Sequence, residues 1–263
     1  MSAHITLTLL GTGTSQGVPV IGCNCAVCRS KDPRDNRMRT SAMVEVGRCR
    51  LIIDAGPDFR MQMLREGVRE ISAILLTHKH KDHIGGIDDV RALNFVDYPE
   101  IHNVKIYATA DTVDCVRKDY DYAFFEVRYR GTPEISLHTI VPPEPFMVDG
   151  VEVVPIMGRH AHFEVTGYRI GSMAYLTDFK EIDDDQIERL KGVEVLVVNA
   201  LRFKPHDSHF SVADALELIS KVAPQRAYLT HMSHEIGLHA EADRQLPKGV
   251  HFGYDGLKIE IEG

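Results

Sequence analysis

The 263-residue chain reads as an α+β protein arranged as an αβ/βα four-layer sandwich, two mixed sheets packed face to face with helices outside. Three observations predict this. Many short apolar or alternating segments have strand character, fewer helical segments are interleaved with them, and no repeat or low-complexity stretch interrupts the order. At this length one domain, 1–263, is expected, with ample chain to bury a core.

The alternation Ile5-Thr6-Leu7-Thr8-Leu9-Leu10 opens the first strand and runs into Gly11-Thr12-Gly13-Thr14, a turn that brings backbone close to something. Further strands are predicted at 42–46, 50–54, 73–77, 104–108, 151–156, 168–170, 174–177, 193–198, 226–230 and 257–261. Helical periodicity predicts 59–66, 87–94, 112–116, 182–190 and 212–222, the last after Ser211 as N-cap. The segment 97–145 is the least regular and holds Tyr120, Tyr122, Phe124, Phe125 and Tyr129. A helical lid or insertion beside a pocket and an ordinary surface helix with a hairpin fit it equally.

Hydrophobic residues make up 44% and charged residues 26%, the balance of a soluble globular chain. No apolar run is long enough to span a bilayer, and Met-Ser-Ala-His has no signal-peptide character, so the expectation is a cytoplasmic protein with no membrane partner. The net charge of −8 disfavours long nucleic acid as a partner but permits small anions, because bound cations dominate the potential in a pocket. A homodimer is compatible with the aromatic segment near Tyr120.

Residues 77–83 read Thr-His-Lys-His-Lys-Asp-His, placing His78, His80, Asp82 and His83 straight after Ile74-Leu75-Leu76. Imidazole and carboxylate suit zinc, manganese or iron, and this density is what two metal ions at a strand end require. More ligands must come from later strand ends. His160 lies past 151–156, Asp178 closes Ala174-Tyr175-Leu176-Thr177, and His231 closes Ala227-Tyr228-Leu229-Thr230. An apolar strand, a threonine and a ligand recur at Thr77-His78, Thr177-Asp178 and Thr230-His231.

Five cysteines do not make a disulfide framework, but Cys23, Cys25 and Cys28 cluster as a metal site would. Three thiolates lack one ligand for tetrahedral zinc, and His234, three residues beyond His231, is the candidate fourth. Such a structural zinc would staple the N-terminal loop to the strand edge bearing His231.

The motif at 77–83 followed by Ile84-Gly85-Gly86, an earlier strand ending in Asp54-Ala55-Gly56, and the later His, Asp and His resemble the metallo-β-lactamase fold superfamily over essentially the whole chain. The resemblance implies a first metal on His78, His80 and His160, a second on Asp82, His83 and His231, and Asp178 bridging them. His162 is the alternative to His160, which its spacing to Gly167-Tyr168 favours. With the Gly-Thr-Gly-Thr-Ser loop and the His231/His234 pair, the cysteine cluster resembles the PhnP-like cyclic phosphodiesterases, in which a structural zinc on three Cys and one His sits near a dinuclear centre.

This implies hydrolysis of a small, cyclic phosphodiester, a cyclic ribose phosphate or cyclic nucleotide, by a hydroxide held between ions about 3.5–4 Å apart, oriented by Asp82 or Asp178. An alkoxide leaves poorly without a proton. His209, in Pro205-His206-Asp207-Ser208-His209-Phe210-Ser211 at the head of the helix 212–222, is the candidate acid, with His206 as alternative. Arg39 and Arg202 could hold a phosphate but carry no motif, and His4, His102, His138, His239 and His251 have no recognisable partner. Competing readings are a nuclease like the transfer-RNA 3′ endonuclease, a thioester or lactone hydrolase, and a non-catalytic zinc-stabilised binding module. The first lacks a basic arm here.

Overall fold

The computed structural model describes residues 4–127 and 129–262. The chain start at 1–3, on which the signal-peptide expectation partly rests, lies outside that range. In chain order the strands are β1 Ile5–Gly11, β2 Ser41–Val46, β3 Cys49–Ile53, β4 Ala73–Leu75, β5 Val104–Ala108, β6 Ile135–Thr139 and β7 Phe146–Val148. They continue as β8 Val151–His160, β9 Phe163–Ile170, β10 Met173–Leu176, β11 Val195–Asn199, β12 Arg226–Thr230, β13 Val250–Phe252 and β14 Lys258–Ile261. The helices are α1 Phe59–Glu66, α2 Lys81–Ile84, α3 Val90–Asn94, α4 Ala110–Asp119, α5 Asp184–Arg189, α6 Val212–Val222 and α7 His239–Ala242.

Among the described residues two seven-stranded sheets form, ordered β14-β1-β2-β3-β4-β5-β6 and β13-β12-β11-β10-β9-β8-β7. Between them lies one apolar layer containing Leu7, Leu9, Ile53, Tyr168, Tyr175 and Val197, all closed to solvent. The outer faces are covered separately. Phe59, Val90, Leu93 and Val116 pack on the first sheet, and Ile187, Leu190, Ala215 and Leu218 on the second. That is the predicted four-layer α+β sandwich. The two large buried phenols also keep their hydroxyls satisfied: Tyr168 donates to the Leu76 carbonyl (2.6 Å) and Tyr175 pairs with Thr40 (2.8 Å).

In each sheet a parallel half, β3 to β6 and β10 to β13, points its strand ends to one edge. Carboxyl ends of parallel strands are where open α/β sheets present their ligand-binding loops. Segment 97–145 contributes β5, α4 and β6 to this parallel half, followed by β7. Two predicted strands prove to be parts of a longer hairpin: 151–156 runs on to His160 and 168–170 begins at Phe163, paired continuously from Val154/Arg169 to His160/Phe163. Gly158 hides that alternation, since a Cβ there would lie 2.2 Å from the Phe179 ring. The predicted helix 87–94 starts as a 3₁₀ turn at Ile87–Asp89 before α3. No helix among the described residues is long and apolar enough to cross a membrane.

Candidate metal centre

The site assembles at strand ends. Asp54 follows β3, His78 lies three residues past β4, His160 ends β8, Asp178 is two past β10, and His231 follows β12. Asp54, Asp178 and His231 have φ of 65°, 64° and 57°. Left-handed backbone at a non-glycine residue costs about 1–3 kcal/mol and collects at functional sites. At these three positions it turns the chain sharply off the strand, so the side chain faces its neighbours across the edge. The loop bearing Asp82 is pressed against the β3–α1 connection, where a Cβ on Gly56 would lie 1.9 Å from the Asp82 carbonyl oxygen.

Ligand-type atoms of His78, His80 and His160 lie within 4.8 Å of one another, as do those of Asp82, His83, Asp178 and His231. The sequence-predicted residues thus come together in two adjoining groups. His160 is buried, with Nδ1 donating to the Ser208 carbonyl (2.7 Å), which leaves Nε2 for the cluster. His162 sits exposed in the hairpin turn, outside both groups.

Several buried nitrogens face acceptors without a hydrogen bond. His83 Nε2 is 3.2 Å from both Asp82 Oδ2 and Asp178 Oδ2, and His231 Nε2 is 3.1 Å from Asp178 Oδ1, yet neither nitrogen makes a hydrogen bond, and neither does His78 Nε2. Buried polar atoms are rarely left so. On the far side of its ring, His83 Nδ1 donates to Asp54 Oδ2 at 2.7 Å, which leaves Nε2 as the nitrogen that faces the two carboxylates. Such a setting favours positive charge beside the carboxylates, from a proton on Nε2 or from a metal ion, and the donor set of imidazole and carboxylate suits a divalent transition metal.

The local field points the same way. Burial opposes charge on His83, but Asp178, Asp54 and Asp82 together hold its pKa well above the ordinary value. Burial and the neighbouring His83 hold His78 well below its own, and burial with His160 lowers His80, keeping both in the neutral, ligating form. Burial favours the neutral acid at Asp82 and Asp178, yet the surrounding imidazoles hold both carboxyls below the usual range.

His209 overlooks both groups. Its ring stacks on His231 (4.8 Å) and tilts against His160 (4.5 Å), with Nδ1 3.6 Å from Asp178 Oδ1. The next residue is locked in place: Phe210 N–H donates to the Phe179 carbonyl and its own carbonyl accepts from Leu201. Ser211 then caps α6 in a reciprocal capping box with Asp214. Burial first, then His231, lower the His209 pKa to about 3. His206 turns its Nδ1 to Ser208 in the same loop, 5.4 Å from the His209 ring.

Cys23, Cys25, Cys28 and His234 form a third group, each sulfur 3.3–3.5 Å from His234 Nδ1. Backbone N–H groups of Val20 and Cys28 donate to the Cys28 and Cys25 sulfurs. The Cys28 N–H leads the causes that lower the Cys25 pKa to about 6, while burial raises Cys28 to about 11. Three converging thiols and one imidazole fit a closed tetrahedral zinc site.

Arg39 is engaged by Asp58, and Arg202 by Glu235 and the Pro205 carbonyl, so both are structural ties. Sequence reasoning assigned no role to Asp54, although it closes an apolar strand as Asp178 does. Thr77 donates to it from backbone and hydroxyl (2.8 and 2.9 Å).

The family model described as beta-lactamase superfamily domain matches residues 49–232. This chain belongs to that superfamily. The crystal structure of a diphosphatase from the PhnP family superposes with TM-score 0.92 at 42% identity, covering 99% of this chain and 98% of the other. An octanoyltransferase from Porphyromonas gingivalis is 41% identical over 257 residues, 97% of this chain but 51% of that protein. A ribonuclease Z from Mycolicibacterium gilvum is 31% identical over 182 residues, 63% of this chain and 57% of that protein. The chain therefore spans little more than half the length of these two curated relatives. The short form of human tRNase Z, at 16% identity and TM-score 0.71 with 97% and 98% coverage, shares the fold. The metallo-β-lactamase fold of this chain is thus shared with a PhnP-family diphosphatase and with ribonuclease Z relatives.

Proposed function

We propose that this protein is a metal-dependent hydrolase of a small phosphodiester, a cyclic ribose phosphate or cyclic nucleotide. His78, His80 and His160 would hold one divalent ion, zinc or manganese, and Asp82, His83 and His231 a second, with Asp178 shared. Cys23, Cys25, Cys28 and His234 would hold a structural zinc. The observation that carries the reading is the buried, unpartnered His83 Nε2 between two carboxylates. When bound, paired divalent ions acidify a water towards neutrality and neutralise charge developing on a phosphoryl group.

The chain's own groups supply the rest. Asp82, whose side chain is 13% exposed against 2% for Asp178, would accept a hydrogen bond from an attacking water and orient it. An anionic phosphodiester beside His209 raises that ring's proton affinity, and the imidazolium then gives its proton to the leaving alkoxide. The test is turnover of bis(p-nitrophenyl) phosphate against a thioester, before and after chelation and refilling with zinc or manganese. Chelator-sensitive cleavage of the phosphodiester alone supports the reading; thioester preference refutes it.

The diphosphatase of the PhnP family favours a second reading, a diphosphate diester. Its leaving group is a phosphate, a weak base that needs little protonation. Removal of the His209 imidazole therefore separates the two: large loss for an alkoxide leaving group, small loss for a phosphate.

A further inference from the structure

Within the Thr-His-Lys-His-Lys-Asp-His motif, Lys79 is among the residues that the ligand assignment leaves unused. Lys79 lies between His78 and His80, and its Nζ lies over one face of the Phe163 ring, 5.5 Å from the centroid, leaving the other face for a partner. Phe163 opens β9 directly opposite His160 across the β8–β9 hairpin. Its ring also meets His80 edge-on, centroids 5.6 Å apart and planes at 78°. Despite these contacts Phe163 remains 46% exposed. Of the exposed aromatic residues among those described, Phe163 is the one whose ring contacts a histidine of the metal-type cluster.

Leaving so large an apolar ring nearly half exposed forgoes burial that folding it inward would gain. Its place beside His80 and His160 gives it another use. In a nucleotide, one ribose separates the phosphate from a planar base, and the Phe163 ring stands one aromatic contact, 5.6 Å between centroids, from His80 of the candidate metal cluster. The Lys79 ammonium, half-buried and shared with an exposed Asp111 carboxylate at 3.3 Å, supplies a cation at the same rim of an acidic chain. A flat apolar surface next to a cation and a phosphoryl site matches a nucleobase-bearing phosphodiester better than a bare sugar phosphate.

We propose that Phe163 is the stacking platform for the base of a nucleotide substrate, with Lys79 flanking it, so that this site selects phosphodiesters carrying a nucleobase. The proposal rests on the phosphodiesterase reading above and names its substrate class. Base stacking on an aromatic side chain is tolerant of base identity and corresponds to roughly 5- to 150-fold in affinity on alanine substitution.

The experiment compares a 2′,3′-cyclic nucleotide with a base-free cyclic ribose phosphate on the metal-loaded protein, and in parallel measures binding of AMP and ribose 5-phosphate by calorimetry. The unsubstituted protein is expected to favour the base-bearing member of each pair by about tenfold or more, through KM and Kd. Phe163→Ala should collapse both ratios at least fivefold, and Phe163→Trp should restore them. Equal losses on both members would make Phe163 a mere support for His80 and overturn the proposal, as would unchanged ratios. If neither cyclic compound is hydrolysed but the AMP preference exists and disappears in Phe163→Ala, the phosphodiesterase reading falls while the base platform stands.

Discussion

Asp54 Oδ2 lies 2.7 Å from His83 Nδ1, and neither side chain is open to solvent. The pair fixes which nitrogen of His83 carries the proton and which faces the candidate second metal. In Asp54→Asn the amide oxygen can still accept from Thr77, but its NH₂ then points at His83 Nδ1 and forces the proton onto Nε2. Loss of such an orienting partner typically costs about 10–100-fold in metal affinity. Competitive chelator titration of Asp54→Asn should show one catalytic-type site weakened by that order; unchanged affinity at every site would remove Asp54 from the account.

His209→Ala should lower kcat on an alkyl-leaving phosphodiester by about 10²- to 10⁴-fold with KM little changed. The same variant should lose only a few-fold on bis(p-nitrophenyl) phosphate, whose leaving group is a weaker base. Equal, small effects on both substrates would show that His209 donates no proton. His206→Ala, which touches the loop rather than the cluster, should leave kcat within a few-fold.

Cys25→Ser or Cys28→Ser should remove one zinc equivalent and free the loop that His234 anchors. A structural zinc contributes directly to folding free energy, so a loss of about 2 kcal/mol or more and a fall in Tm of about 4–8 °C is expected at this chain size. Zinc content and calorimetry on the same sample check it. A serine variant with full zinc and an unchanged Tm would mean the thiols hold no metal.

His239 offers a pH test away from the metal-type clusters. Burial first, then the Arg37 and Arg34 charges, lower its pKa to about 4 from 6.5, and Arg37 Nη2 is 3.2 Å from its Nδ1. The folded pKa lies below the unfolded one, so the folded state binds fewer protons between these values. Its stabilising contribution is complete above pH 6.5 and is lost as pH falls through 6.5 towards 4. Asp255, pushed up to about 6 by burial, acts oppositely and loses stability as pH rises towards 6. Comparing His239→Gln with the parent isolates the histidine: denaturant stability of the variant should fall less steeply from pH 7 to 4.5. Parallel curves would contradict the shift.

Much of this was legible in the sequence because it is local. The motif at 77–83, the Thr-ligand pattern at three strand ends and the cysteine spacing are short-range signals, and Ser211 caps α6 as its sequence says. What stayed hidden depends on contacts between distant segments. Asp54 lies 29 residues from His83 along the chain, and nothing beside it in sequence names its partner. The hairpin that places Phe163 opposite His160 was obscured because Gly158 leaves room for the Phe179 ring where alternation would require a side chain. The choice between His160 and His162 needed the end of β8, since only the register decides which residue turns inward.

The central claim is that the two His/Asp groups at the strand edge hold a pair of cations while the cysteine group holds a third. Anomalous diffraction from a crystal of the purified protein, recorded at the zinc and manganese edges, tests it most directly. The account predicts two neighbouring peaks, one among His78, His80 and His160 and one among Asp82, His83 and His231 with Asp178 reaching both, plus a separate zinc peak among Cys23, Cys25, Cys28 and His234. A single ion in the strand-edge cluster, or none in metal-supplemented crystals, would contradict it.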